Sequence, residues 1–222
     1  MFADAYRDAH VRVAALARSL PAESLDTPTP SCPDWTARDV VAHLAGMATD
    51  VTSGRLRGMP GPDWTGPQVR DRTGRDLETV LDEWAGTADA VAEAVEDRRV
   101  PLTVLQDALA HEADLAEATG RPRPAQEGWV TAAQLMTRQV LKGMRGPGTL
   151  IVRSGGSEWR GGDDDPVSVV DVDPYELYRG LLSRRSRAQM RGWAWRGDPE
   201  PWVAVLPVFG PRDDDQPVPP PS

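Results

Sequence analysis

Apolar side chains recur at three- and four-residue intervals from Phe2 to Leu20, through Tyr6, Ala9, Val13 and Leu16, and Pro21 follows. That period sets one side of a helix against a core, and the proline stops it. A second helix is predicted from Thr36 to about Leu56. Its start carries a capping box in Thr36-Ala-Arg-Asp39, with Trp35 where a hydrophobic staple would reach Val40. The stripe Leu77, Val80, Leu81, Trp84, Ala88, Val91 and Val95 predicts a third helix from about Asp76 to Glu96. A fourth runs from about Leu102 to Thr119 and ends at Gly120 and Pro122. A shorter helix over Thr131 to Met144 opens on Thr-Ala-Ala-Gln. Residues 58–74 hold so much glycine and proline that they read as a long loop, one that could cover a site.

Beyond residues 145–148 the period changes. The stretches Thr149 to Ser154, Ser157 to Gly161 and Val167 to Asp173 read as short strands, and Asp173-Pro174-Tyr175-Glu176 opens a helix with proline at its first position. The predicted fold is therefore an all-α four-helix bundle over residues 1–145, followed by a small α+β domain over 149–210. The acidic, proline-rich residues 211–222 are expected to be disordered.

Composition narrows the partners. With 34 acidic against 25 basic residues the net charge is −9, the wrong sign for a nucleic-acid footprint or an anionic membrane. No apolar run approaches the roughly 20 residues that span a bilayer. The N-terminal stretch lacks the basic, apolar, small-residue progression of a signal peptide, so a cytoplasmic location is expected. The single cysteine, Cys32, can form no internal disulfide, which fits a reducing compartment. The expected assembly is a monomer or a homodimer.

The candidate chemistry begins with two of the three histidines. His43 falls among Val40, Leu44 and Met47 on the apolar side of the second helix. Either its ring nitrogens are satisfied within a core, or it points into a site. On the fourth helix Asp107 and His111 are four residues apart and share a side, flanked by Val104, Ala108 and Leu115. Leu102, Leu105 and Leu109 lie roughly opposite, so this helix is apolar on two sides and central to its bundle. A carboxylate and an imidazole facing inward are costly to bury without compensation, and a divalent metal supplies it. His43, Asp107 and His111 would give three protein ligands and an open position, the pattern of catalytic zinc sites. The same spacing also arises where an acid and a histidine simply hydrogen-bond.

The run "CPDWTARDVVAHLAG", the later "DALAHEADLAEATGRP" and the C-terminal "YELYRGLLSRRSRAQMRGWAWRGDPEPWVAVLPVFGPR" resemble the actinobacterial mycothiol-dependent maleylpyruvate isomerase family, whose N-terminal domain is a DinB-like four-helix bundle. The resemblance covers nearly the whole chain except its tail. It implies a divalent metal, usually zinc, held by a histidine of the second helix and an E-x-x-x-H pair, which fall here on His43, Asp107 and His111. Asp stands in this chain where the family has Glu. The resemblance further implies mycothiol as thiol cosubstrate and a small electrophilic substrate. The thiolate adds to a conjugated cis double bond, rotation follows, and elimination returns the trans isomer; related proteins transfer the thiol instead. The alternative is a non-catalytic protein that binds a small ligand or partner, with a structural or vestigial metal site.

Other residues carry weaker expectations. Asp114 shares a side with His111 and could orient its imidazole. Arg184, Arg185 and Arg187 could clamp substrate carboxylates, against the alternative of a solvated basic face. Trp64, in the expected loop, could line a substrate entrance. Trp35 and Trp84 read as packing residues, and His10 as locally packed. Cys32, ahead of a proline and with no histidine near it in sequence, is not expected to act as a nucleophile.

Overall fold

The computed structural model describes residues 2–56, 61–144, 146, 148–165 and 167–220. The chain divides into two compact units, Met1–Gly128 with Val218–Ser222, and Trp129–Pro217. The expected boundary at 145–149 differs from this division by the length of one helix.

The first unit begins with α1 (Phe2–Ser19), the short α2 (Ala22–Leu25), and a hairpin of β1 (Pro28–Thr29) with β2 (Cys32–Thr36). Then come α3 (Ala37–Thr52), α4 (Pro62–Arg70), α5 (Leu77–Glu96) and α6 (Thr103–Ala118). Four of these helices pack in a closed cycle, α1 on α5, α5 on α3, α3 on α6 and α6 on α1. Tyr6, Val13, Val40, Leu44, Leu81, Trp84, Val91 and Leu109 are buried between them, as the apolar stripes require. Inside this core the indole N–H of Trp84 donates to the Tyr6 hydroxyl at 3.0 Å. The start of α3 is the predicted capping box: Thr36 Oγ1 accepts from the Asp39 backbone N–H, and the Asp39 carboxylate accepts from that of Thr36.

The structure departs from the expected long loop at α4. Gly61 is its N-cap and Pro62 occupies the first position, where the missing N–H costs nothing; Pro67 lies inside it. Residues 57–60 lie outside the described residues. The helix packs on α3, with Trp64 and Gln68, one turn apart, both bonded to Asp50. Tertiary contact thus stabilises a helix that composition disfavours. The β1–β2 hairpin is a second element that periodicity does not announce.

The helix α7 (Gln126–Gly143) straddles the division between units. It starts five residues before the expected Thr131 box, so Thr131 is interior and caps nothing. Gly128 within its first turn obscures this start in the sequence. The structure explains that glycine, because a Cβ there would lie 2.7 Å from Nη2 of Arg12. The Arg12 guanidinium is itself held by a two-pronged pair with the buried Glu112 at 2.6 and 2.8 Å.

In the second unit, β3 (Thr149–Ser154), β4 (Ser157–Gly161) and β5 (Val167–Asp171) match the predicted strands. They are followed by α8 (Pro174–Leu181), α9 (Arg187–Arg191), β6 (Ala194–Arg196) and α10 (Glu200–Val205). The sheet order is β4-β3-β5-β6, with β3 and β5 parallel and both edge pairings antiparallel. Leu150, Val152, Val170, Tyr175, Tyr178, Met190 and Trp202 form its core, and the Trp129 ring stacks on Tyr178 at 5.9 Å. Asp173 caps α8 through the backbone N–H groups of Tyr175 and Glu176. Residues 212–216, expected as unstructured tail, run beside α9. The Gln189 side chain donates to the Gln216 carbonyl and accepts its N–H, and Ser186 donates to Asp215. The chain is mostly helical with a small C-terminal sheet domain. Among the described residues no helix is long and apolar enough to cross a membrane.

Candidate metal centre

The pairing of α3 with α6 brings the two predicted halves of the site together. Nε2 of His43 lies 3.1 Å from Oδ2 of Asp107, and Nε2 of His111 lies 3.6 Å from Oδ1 of the same carboxylate. One donor atom from each of the three residues lies within 4.8 Å of the others, a group that could hold a metal ion. The aspartate, one methylene shorter than glutamate, reaches both rings. The His43 side chain is 1% exposed, that of His111 6% and that of Asp107 19%, so the carboxylate stands at the accessible edge.

The tautomer of His43 follows from its surroundings. Asp50 can only accept, so the Gln68 amide nitrogen must face it, at 2.7 Å. That leaves Gln68 Oε1 toward His43 Nδ1 at 2.7 Å, and Nδ1 must carry the proton. The other ring nitrogen, Nε2, faces a carboxylate oxygen at hydrogen-bond distance. Two acceptors cannot rest so close unless a proton or a cation stands between them. Two imidazole nitrogens and a carboxylate oxygen are a donor set that suits zinc and similar divalent ions. Asp50 is in turn fixed by the Trp64 indole N–H at 3.1 Å and by Arg55 at 3.0 Å. A relay of buried groups therefore aims His43 from behind.

Gly46 makes that relay fit. A Cβ at this position would lie 2.5 Å from Cβ of Gln68. The absence of a side chain lets α4 approach α3 closely enough to seat the Gln68 amide over His43.

Trp35, expected to be a packing residue at the helix start, has its ring centroid 4.9 Å from His43 and 6.0 Å from His111. The two imidazoles meet edge to face at 5.0 Å. The indole covers both rings and keeps water from their faces. Asp114 is fully buried, with Oδ2 3.0 Å from Nδ1 of His111. That nitrogen is buried and off the line of a hydrogen bond, so the contact is one of proximity. Cys32 lies close as well, with Sγ 3.9 Å from Asp114 Oδ2. Sequence distance concealed this neighbourhood of Cys32 and His111. Burial pushes the Tyr6 hydroxyl well above the usual tyrosine value; the bond from Trp84 opposes this and the negative charge of Asp107 adds to it.

The remaining expectations fall elsewhere. Trp64 is a helical residue bonded to Asp50, which corrects its reading as a loop residue. Arg185 is fully buried and held by Glu176 at 2.6 and 3.0 Å. Arg187 pairs with Asp213, and Arg184 donates to the Leu182 carbonyl at 2.8 Å. The three guanidiniums are thus engaged within their own unit rather than converging as a shared clamp. His10 packs edge-on against Trp84 with centroids 4.8 Å apart, as local packing predicts. Sequence reasoning missed Gln68 and Asp50. The available signal was the four-residue spacing of Trp64 and Gln68, masked by the prolines around them.

Fold and site define a helical domain with a buried His–Asp–His cluster, followed by a small mixed sheet. The model of the mycothiol maleylpyruvate isomerase N-terminal domain matches residues 6–144, and the chain belongs to this family. Two solved structures share its fold. The crystal structure of the mycothiol-dependent maleylpyruvate isomerase superimposes with a TM-score of 0.58 at 14% identity, covering 90% of this chain and 94% of that one. A histidine-to-alanine mutant of a mycothiol-dependent maleylpyruvate isomerase gives 0.55 at 12% identity with the same coverage. No curated protein matches the chain.

Proposed function

We propose that this protein is a divalent-metal-dependent enzyme that uses mycothiol to isomerise, or to transfer its thiol to, a small electrophilic substrate. The observation that carries this reading is the convergence of His43 Nε2, Asp107 and His111 Nε2, with the His43 ring oriented by the bond between its Nδ1 and Gln68. Family membership supports the thiol.

A divalent cation at this position, zinc in our reading, supplies the positive charge that ionises a thiol at neutral pH. His43 and His111 would hold it through Nε2, and Asp107 would contribute the one negative charge among the three ligands. Gln68 keeps the His43 proton on Nδ1, so that Nε2 stays a lone-pair donor. Trp35 shields both rings from water, which strengthens every charge interaction at the site. Three protein ligands leave a position for an exogenous thiol.

The test is metal analysis of protein purified without chelator, followed by cobalt substitution and titration with mycothiol. One metal per chain is expected, lost in the His43→Ala/His111→Ala variant, together with a thiolate-to-cobalt absorption on adding mycothiol. Metal-free wild-type protein, or a cobalt spectrum indifferent to mycothiol, would overturn the reading.

A further inference from the structure

Beyond the His43–Asp107–His111 group, the buried face of α6 carries a second convergence of donors. Cys32 Sγ, a carboxylate oxygen of Asp114 and a ring nitrogen of His111 lie within 4.8 Å of one another. Cys32 is held at the first residue of β2, and its hairpin packs on α6 through β1. Asp114 is fully buried. The ring nitrogen on this side is Nδ1, 3.0 Å from Asp114 Oδ2, buried and without a hydrogen bond among the described residues. A buried imidazole nitrogen with no hydrogen bond of its own, beside a carboxylate and a thiol, is a set of donors that a soft or borderline cation could join.

We propose that Cys32, Asp114 and His111 Nδ1 form a second cation site, selective for thiophilic divalent ions such as cadmium or excess zinc, and that its occupation disables the first. The selectivity comes from sulfur, since a thiolate prefers soft and borderline ions to magnesium or calcium. Binding would release the Cys32 thiol proton to solvent and form the sulfur–cation bond. The exclusion comes from His111, which a neutral ring lets serve one side only. With Nδ1 bound to a cation, the single ring proton moves to Nε2, which can then donate toward Asp107 but no longer ligate. This competition rests on the first site being as proposed above; the thiolate site itself does not.

Cadmium titrated into the metal-free full chain, with no small thiol added, tests the proposal. An ultraviolet thiolate-to-cadmium band saturating at one ion per chain is expected. It should vanish in Cys32→Ser, survive in His43→Ala, and require about tenfold more cadmium in Asp114→Asn, with circular dichroism confirming that each variant is folded. In cobalt-loaded wild type, cadmium should abolish the visible cobalt spectrum, whereas in Cys32→Ser the same cadmium excess should leave it largely intact. A missing band in wild type, or one that persists in Cys32→Ser, overturns the proposal. In either case cobalt bound one per chain to Cys32→Ser would show the first site intact, so the two readings fail separately.

Discussion

The most informative single side chain is Gln68, because its amide has a forced orientation. Asp50 takes the N–H and His43 is left with the carbonyl, so His43 donates from Nδ1 and its Nε2 is turned toward Asp107. Replacing Gln68 by Ala should lower metal affinity about 10- to 100-fold while circular dichroism stays unchanged. Competition against a chromophoric chelator measures this, and unchanged affinity would remove Gln68 from the relay. His10 offers a contrast. Burial lowers its pKa below the ordinary 6.5, and Arg18 pushes it the same way, against the opposing charge of Asp89. A base with a depressed folded value stays neutral in the fold while the unfolded chain takes up the proton. Its contribution to stability is therefore complete above 6.5 and lost as the pH falls through the folded value. The urea midpoint of His10→Phe should decline less steeply than wild type between about pH 7 and 5, and parallel declines would refute the assignment.

At the scale of elements, α3 and α4 act as one device. Gly46 is the point of close approach, and it sits inside a helix where alanine is intrinsically favoured by about 1 kcal/mol. Gly46→Ala should therefore separate two properties that usually move together. The α3 helix gains propensity, but the added methyl group drives Gln68 from its seat, and metal affinity should fall about tenfold or more. Affinity equal to wild type would mean that α4 adjusts without disturbing His43. These two helices also mark the limits of sequence reading. The α3 start was legible because Thr36 and Asp39 satisfy their own backbone groups, a local act that needs no partner. The α4 helix was not, because Pro62, Gly66 and Pro67 argue for a loop and only docking through Trp64 and Gln68 outweighs them. The Thr131 box failed for the opposite reason: a locally plausible cap is overridden by a helix already running from Gln126.

For the molecule as a whole, a cation held at the proposed site would be tied to both α3 and α6 and would link site occupancy to folding. A ligand that binds only the folded state stabilises it by about 2.7 kcal/mol at roughly one hundred times its dissociation constant. Zinc should thus raise the thermal midpoint of the wild-type chain, chelator should reverse the rise, and the rise should be smaller in Asp107→Ala, where only the Cys32–Asp114–His111 group is left to bind the ion. Scanning calorimetry with and without zinc decides this; an equal rise in Asp107→Ala would place the stabilising ion elsewhere.

The sequence alone determined the helices with strong apolar stripes, the three strands and the cap of α3, and it nominated His43, Asp107 and His111, because periodicity, capping and i,i+4 spacing are local properties of the chain. It could also nominate Asp114, which shares a helix side with His111. Tertiary structure decided what lies around those residues. Gln68 and Asp50 aim one imidazole, Trp35 covers two, and Cys32 arrives beside Asp114 from 82 positions away. None of these relations is periodic or adjacent in sequence. They exist only once the helices have packed, because desolvation gives each buried polar group a strong need for a partner, and the packed neighbours determine which partner it finds.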